Sequence, residues 1–195
     1  MNIAYKPYLL EFKHPFGVSS NTRKNTLSIF IRIDNGKWSG YGEACLPPYL
    51  GETEDETLAF FEKCSELLSA YKGDFSITEL LTKTDVLSPG CNAAKAAIDI
   101  ALHDLKGKML GKPCYALFGL EKSQPRATAF TIGIDNEARL EQKIIEASDF
   151  KILKIKAGTA DDKRLIRQIR KFTYKPLYVD VNQGWKDWHT VINRA

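Results

Sequence analysis

No stretch of these 195 residues offers the roughly 20 consecutive apolar side chains that a membrane-spanning helix needs. The opening "MNIAYKPYLLEFKHPFG" has no apolar run of the kind a signal peptide carries, so neither membrane insertion nor export is expected. The four cysteines, Cys45, Cys64, Cys91 and Cys114, stand far apart with no C-x-x-C pair. That spacing argues against a zinc site and a disulfide scaffold, and fits free thiols in a reducing cytoplasm. Histidine is scarce, three in all and widely separated, so any metal must be held by oxygen, which favours Mg²⁺ over zinc. Charge of one sign is lacking too: 28 basic and 24 acidic residues give a net +4, interspersed along the chain. No nucleic-acid partner follows from that pattern. No G-x-G-x-x-G or G-x-x-x-x-G-K-[ST] follows a strand-like segment, which weighs against an open-sheet nucleotide binder.

What is present reads as a globular chain, 44% hydrophobic and 27% charged, in two halves of different texture. The first half runs strands and then helices. "IAYKPYLLEF" and the alternating "TLSIFIRID" are strand-like, and "DNG" at 34–36 is a turn before "KWSGYGEAC". Pro47-Pro48 ends that sheet. A helix is predicted from a capping box at Thr53 and Glu56 to about Tyr71, and a second from Ser88-Pro89 through "AAKAAIDIALHDLKGKML". Antiparallel strands followed by segregated helices make an α+β domain over residues 1–125.

After "GLEKSQPRA" strand and helix alternate. Strand starts near Ala127, Ile152 and Leu177 recur every 25 residues, with "NEARLEQKIIEASDF", "ADDKRLIRQIRKF" and "KDWHTVINRA" as the intervening and following helices. Repeated βα units imply a parallel sheet over residues 126–195, closed either as a doubly wound sheet or as a (β/α)₈ barrel.

The polar residues on these strands discriminate between the two. Side chains alternate along a strand, so Lys154 and Lys156 share a face, as do Asp180 and Asn182. In an open sheet covered by helices they would enter apolar layers. In a barrel, inward positions near the C-terminal rim face the active site. Taken singly, K-x-K is usually a solvated edge and D-x-N before Gln183-Gly184-Trp185 usually a turn; together, at matching ends of consecutive strands, they point to function. Two amines beside a carboxylate suit removal of a proton α to a carboxylate, with Mg²⁺ stabilising the enediolate. A lysine serves as base where positive neighbours lower its pKa toward neutrality. Lys156 is nearer the rim and is the better base; Lys154, one layer deeper, supplies positive charge.

The N-terminal half, the linker, "FTIGID", "LKIKAG" and "VDVNQGW" together resemble the enolase superfamily, in its muconate-lactonising branch, and most of all the dipeptide epimerases acting on L-Ala-D/L-Glu. The resemblance implies a capping domain followed by the first three βα units of a TIM-type barrel. It implies Lys156 as acid/base on one face of the substrate α-carbon and Lys154 as its electrostatic partner. Asp180 becomes a Mg²⁺ ligand, and Asn182 a group orienting that ligand or its waters. It further implies that "HPFGVSSNTRKN" is a mobile loop closing over the site, with Arg23 clamping a substrate carboxylate and Thr131 touching substrate. Trp185 and Trp188 read as packing, and His103 as a core or interface residue.

The family pattern also needs two further acidic ligands, a second lysine and an acidic pair on later strands. A barrel takes about 250 residues, and residues 126–195 cannot supply one. The expectation is therefore an N-terminal piece of a longer enzyme, inactive alone, that needs the rest of a barrel or associates as a homo-oligomer. The alternatives are an o-succinylbenzoate synthase, an N-acylamino acid racemase, a cycloisomerase, or a non-catalytic assembly module.

Overall fold

The computed structural model describes residues 1–19 and 21–185. The helix expected over 186–195, with Trp188, lies outside them. The chain forms two compact units: Met1–Glu11 with Thr26–Ser123, and Phe12–Asn25 with the residues from Gln124 onward. None of the described helices is long and apolar enough to cross a membrane.

The first unit is built on a three-stranded sheet, β1 (Asn2–Gly17), β2 (Thr22–Asp34) and β3 (Ser39–Leu46), in the order β1-β2-β3. The pairing of β2 with β3 is antiparallel, from Leu27 opposite Leu46 to Asp34 opposite Ser39. Alternation puts Ile29, Ile31 and Ile33 on the inner face, where all three are buried. Helices α1 (Glu54–Ser69), α2 (Ile77–Asp85) and α3 (Asn92–Leu110) contribute Phe60, Phe61, Leu80, Ile98 and Leu102 to the same core. Fully burying side chains of this size stabilises by about 1.5–3 kcal/mol each relative to leaving them in water.

The capping box of α1 forms as expected: the Glu56 N–H donates to Thr53 Oγ1, and the Thr53 N–H to the Glu56 carboxylate. The start of α3 differs from the expectation at Ser88-Pro89. Gly90 and Cys91 take left-handed φ values of 71° and 51°, so the helix begins at Asn92. Its first N–H groups, those of Asn92 and Ala93, donate to the Glu52 carboxylate at 2.6 and 2.8 Å. Helix α2 and a short turn of helix, α4 (Cys114–Leu117), add to the elements expected.

In the second unit β4 (Ala129–Ile132), β5 (Ile152–Lys156) and β6 (Leu177–Asp180) are parallel in that order, with α5 (Glu137–Glu146) and α6 (Asp162–Arg170) as crossovers. Their core holds Ile132, Leu140, Ile144, Leu153, Ile155, Leu165 and Ile169. These are the opening βα units of a barrel, as expected. The basic residues of α6 lie away from that core, since Leu165 and Ile169 fill its inner face.

Candidate active site at the C-terminal rim of the strands

Strand register assembles the site. Thr131 pairs with Lys154 and Lys154 with Tyr178, forming one row across the three strands. Two residues nearer the rim, Lys156 pairs with Asp180. Because directly paired residues point to the same side, all five face one way. The two lysines converge on one carboxylate oxygen: Nζ of Lys156 lies 2.8 Å and Nζ of Lys154 2.9 Å from Oδ2 of Asp180. Hydrogen bonds from Lys154 and Lys156, in that order of effect, hold the Asp180 carboxyl well below the usual carboxylate range, against a small opposing push from burial. Lys154, the residue farther from the rim, is the more exposed, its side chain 39% accessible against 11% for Lys156. Lys156 sits directly against Asp180 in register, which encloses it, whereas Lys154 has Thr131 and Tyr178 for neighbours.

Asn182 does not share the strand face. Strand β6 ends at Asp180, and Asn182 and Gln183 take φ values of 43° and 64° in a turn. Asparagine tolerates this left-handed region, so the turn chemistry of D-x-N-Q-G overrides strand alternation. The backbone N–H of Asn182 donates to Oδ1 of Asp180 at 3.0 Å, bracing the carboxylate from its second oxygen.

Arg23 also lies elsewhere than the loop expected for it. Strand β1 runs on to Gly17 and β2 begins at Thr22, so most of "HPFGVSSNTRKN" is strand, and Arg23 sits half-buried on β2 with its guanidinium 5.6 Å from the Phe12 ring centre. The stem of this excursion is tied to the first βα unit. The Ile134 N–H donates to the Gly17 carbonyl at 3.0 Å, and the buried Lys143 ammonium reaches Asp135 at 3.0 Å and the Pro15 carbonyl at 3.3 Å. Glu146 takes His14 at 2.8 Å and Lys13 at 2.9 Å, hydrogen bonds that lower its pKa to about 2.

Two features escaped the sequence reading. Tyr178 stands beside Lys154, and its parity with Asp180 in "LYVD" was the signal for it. Trp185, expected to pack, donates its indole N–H to Oδ2 of Asp162 at 2.7 Å. Burial works against the charged form of Asp162, yet the Trp185 indole, both donors of Thr159 and the Gly158 N–H together keep its pKa below the ordinary value.

A model of the mandelate racemase / muconate lactonizing enzyme N-terminal domain matches residues 7–119. The chain belongs to this family. Among curated relatives of this family member, an L-Ala-D/L-Glu epimerase of Bacteroides thetaiotaomicron is 44% identical over 188 residues, covering 96% of this chain and 49% of the relative. An L-Ala-D/L-amino acid epimerase of Maribacter sp. is 35% identical, covering 99% and 56%. The chain thus spans about half the length of the curated relatives it matches. Among solved structures, the dipeptide epimerase of Enterococcus faecalis complexed with Mg and L-Leu-L-Tyr superimposes with a TM-score of 0.81 at 30% identity, covering 94% of this chain and 54% of that one. An Agrobacterium tumefaciens enolase family member with bound sodium and L-Ala-L-Glu gives 0.80 at 30%, covering 98% and 56%.

A Mg²⁺ ion, which the family implies, does not fit the described residues by themselves. No group of three or more His, Cys, Asp or Glu side chains is placed to hold a metal among them. At the rim they offer one carboxylate, already gripped by two ammonium groups, and a hard cation wants several oxygen ligands.

Proposed function

We propose that the protein carrying this chain is a dipeptide epimerase of the L-Ala-D/L-Glu type, acting on the α-carbon next to a carboxylate. The observation that carries the reading is the convergence of Lys154 and Lys156 on Asp180 at the C-terminal ends of parallel strands. Lys156 is assigned as the base: having first given a proton to solvent, its Nζ takes the α-proton and is an ammonium again, while the C–H electron pair moves into the substrate carboxylate as an enediolate. Lys154 places positive charge beside that developing anion. A proton delivered to the opposite face of the carbon by a second acid, assigned outside the described residues, gives the epimer. Asn182 holds Asp180 in place, Thr131 borders the substrate beside Lys154, and Arg23 is assigned the distal carboxylate of the dipeptide. Asp180 is assigned as one Mg²⁺ ligand of the whole barrel, its companions coming from outside the described residues. The protein is proposed to work in the cytoplasm and to assemble as a homo-oligomer.

The test is deuterium incorporation. The protein at its full natural length is incubated in D₂O with Mg²⁺ and L-Ala-L-Glu, and NMR follows the glutamyl α-position. Loss of the α-proton signal together with formation of L-Ala-D-Glu is the expected result. Exchange seen instead with an N-acylamino acid, or turnover of a cycloisomerase or o-succinylbenzoate precursor, would move the protein to another activity of the same branch. Inertness toward all of these would leave a non-catalytic module.

A further inference from the structure

Asp162 is the first residue of α6 and carries no part of the proposed chemistry, yet it is only 4% exposed. A carboxylate that deep is costly unless donors surround it. Its donors come from two different loops. From the loop after β5, the Gly158 N–H lies 3.0 Å, the Thr159 N–H 2.8 Å and the Thr159 hydroxyl 3.0 Å from Oδ1. From the loop after β6, the Trp185 indole N–H reaches Oδ2 at 2.7 Å. An acidic residue in the first turn of a helix is commonplace, since it complements the helix dipole. That role does not call for an indole from the following strand's loop.

The two loops also touch backbone to backbone. A Cβ added at Gly158 would come within 2.3 Å of the Val181 carbonyl oxygen, and one added at Gly184 within 2.3 Å of the Gly158 carbonyl oxygen. Left-handed φ values at Asn182 and Gln183 give the second loop a shape that its surroundings must enforce. Each loop hangs directly on a site residue. Gly158 follows Lys156 by two positions, and the 181–185 turn begins immediately after Asp180, whose carbonyl accepts from the Ala157 N–H at 2.9 Å.

We propose that Asp162 is a positioning residue: through Trp185 it clips the two rim loops together and so fixes the Lys156 amine against the Asp180 carboxylate. Its effect on turnover rests on the epimerase reading; its effect on the loops does not. Trp185→Phe removes the indole N–H and keeps an aromatic ring, though a smaller one, and Asp162→Asn keeps the size. In the full-length protein, amide hydrogen exchange followed by mass spectrometry is expected to quicken about five-fold or more in both 157–160 and 181–185 for Trp185→Phe, with α5 unchanged. With L-Ala-L-Glu, kcat is expected to fall about ten-fold while KM stays within about two-fold, the signature of misplaced catalytic groups. The double variant should be no slower than Asp162→Asn, because the single amide oxygen of asparagine turns to the three donors of Gly158 and Thr159 and leaves its NH₂, which cannot accept, facing the indole. Unchanged exchange, faster exchange confined to 181–185, or an equal loss of protection in α5 would overturn the clip, as would multiplicative effects in the double variant. If the wild-type protein turns over none of the substrates, the epimerase reading falls, and the two exchange segments alone decide the clip.

Discussion

At the scale of single residues, one oxygen of Asp180 receives two ammonium groups while the other accepts a backbone N–H. Removing the carboxylate leaves Lys156, the more enclosed lysine, without its partner. Asp180→Asn is therefore expected to cost about 1–3 kcal/mol, read as a lower urea midpoint with an unchanged m value. Lys156→Ala should reduce α-proton exchange by about 10²–10⁴-fold in the full-length protein while leaving its circular dichroism intact. The acid limb of stability has a definite sign. The folded-state pKa of Glu146 is depressed to about 2, so its contribution is complete above the unfolded value of about 4.3 and fades as pH falls toward 2. Glu146→Gln should lower stability above about pH 4.5, where the ionised carboxylate contributes fully, and bring the variant and the wild type together as pH falls toward 2, as thermal melts across that range would reveal.

Between β3 and α3 two glycines decide how closely the elements approach. A Cβ at Gly42 would lie 2.1 Å from the Ala97 carbonyl oxygen, and one at Gly40 would lie 2.0 Å from that of Ala101. Both contacts are with helix backbone, which cannot yield as a flexible side chain can. Gly42→Ala is expected to destabilise by about 3 kcal/mol in urea unfolding, the upper end of the usual cost of overpacking, because α3 must move off the sheet that it covers. The start of α1 was legible because its capping box is local in sequence, Thr53 to Glu56. The start of α3 was not, because its cap is the Glu52 carboxylate, 40 residues upstream of Asn92. The same reason hid the length of β1. Pro15 and Gly17 look like loop, but their carbonyls have partners in Lys143 and Ile134, more than a hundred residues away.

For the molecule as a whole, the single carboxylate that the described residues offer at the rim predicts a contrast on the proposed reading. Residues 1–195 alone should give no saturable heat on calorimetric titration with Mg²⁺, whereas the full-length protein should bind it and lose turnover in EDTA. Saturable binding by the shorter chain would refute the assignment of Asp180 as one ligand among several. What the sequence determined by itself was whatever repeats or acts over a few residues: the isoleucine alternation of β2, the βα period of the second unit, and the placing of Lys154, Lys156 and Asp180 at strand ends. Tertiary structure decided the rest. Register put both lysines on a single oxygen of Asp180, a tight turn took Asn182 off the strand face, and burial turned Asp162 and Trp185 from apparent helix start and packing residue into a bridge between loops. Alternation and helical period are properties of the backbone and can be read along the chain. Pairing, enclosure and hydrogen bonds between distant segments exist only once folding has brought those segments together.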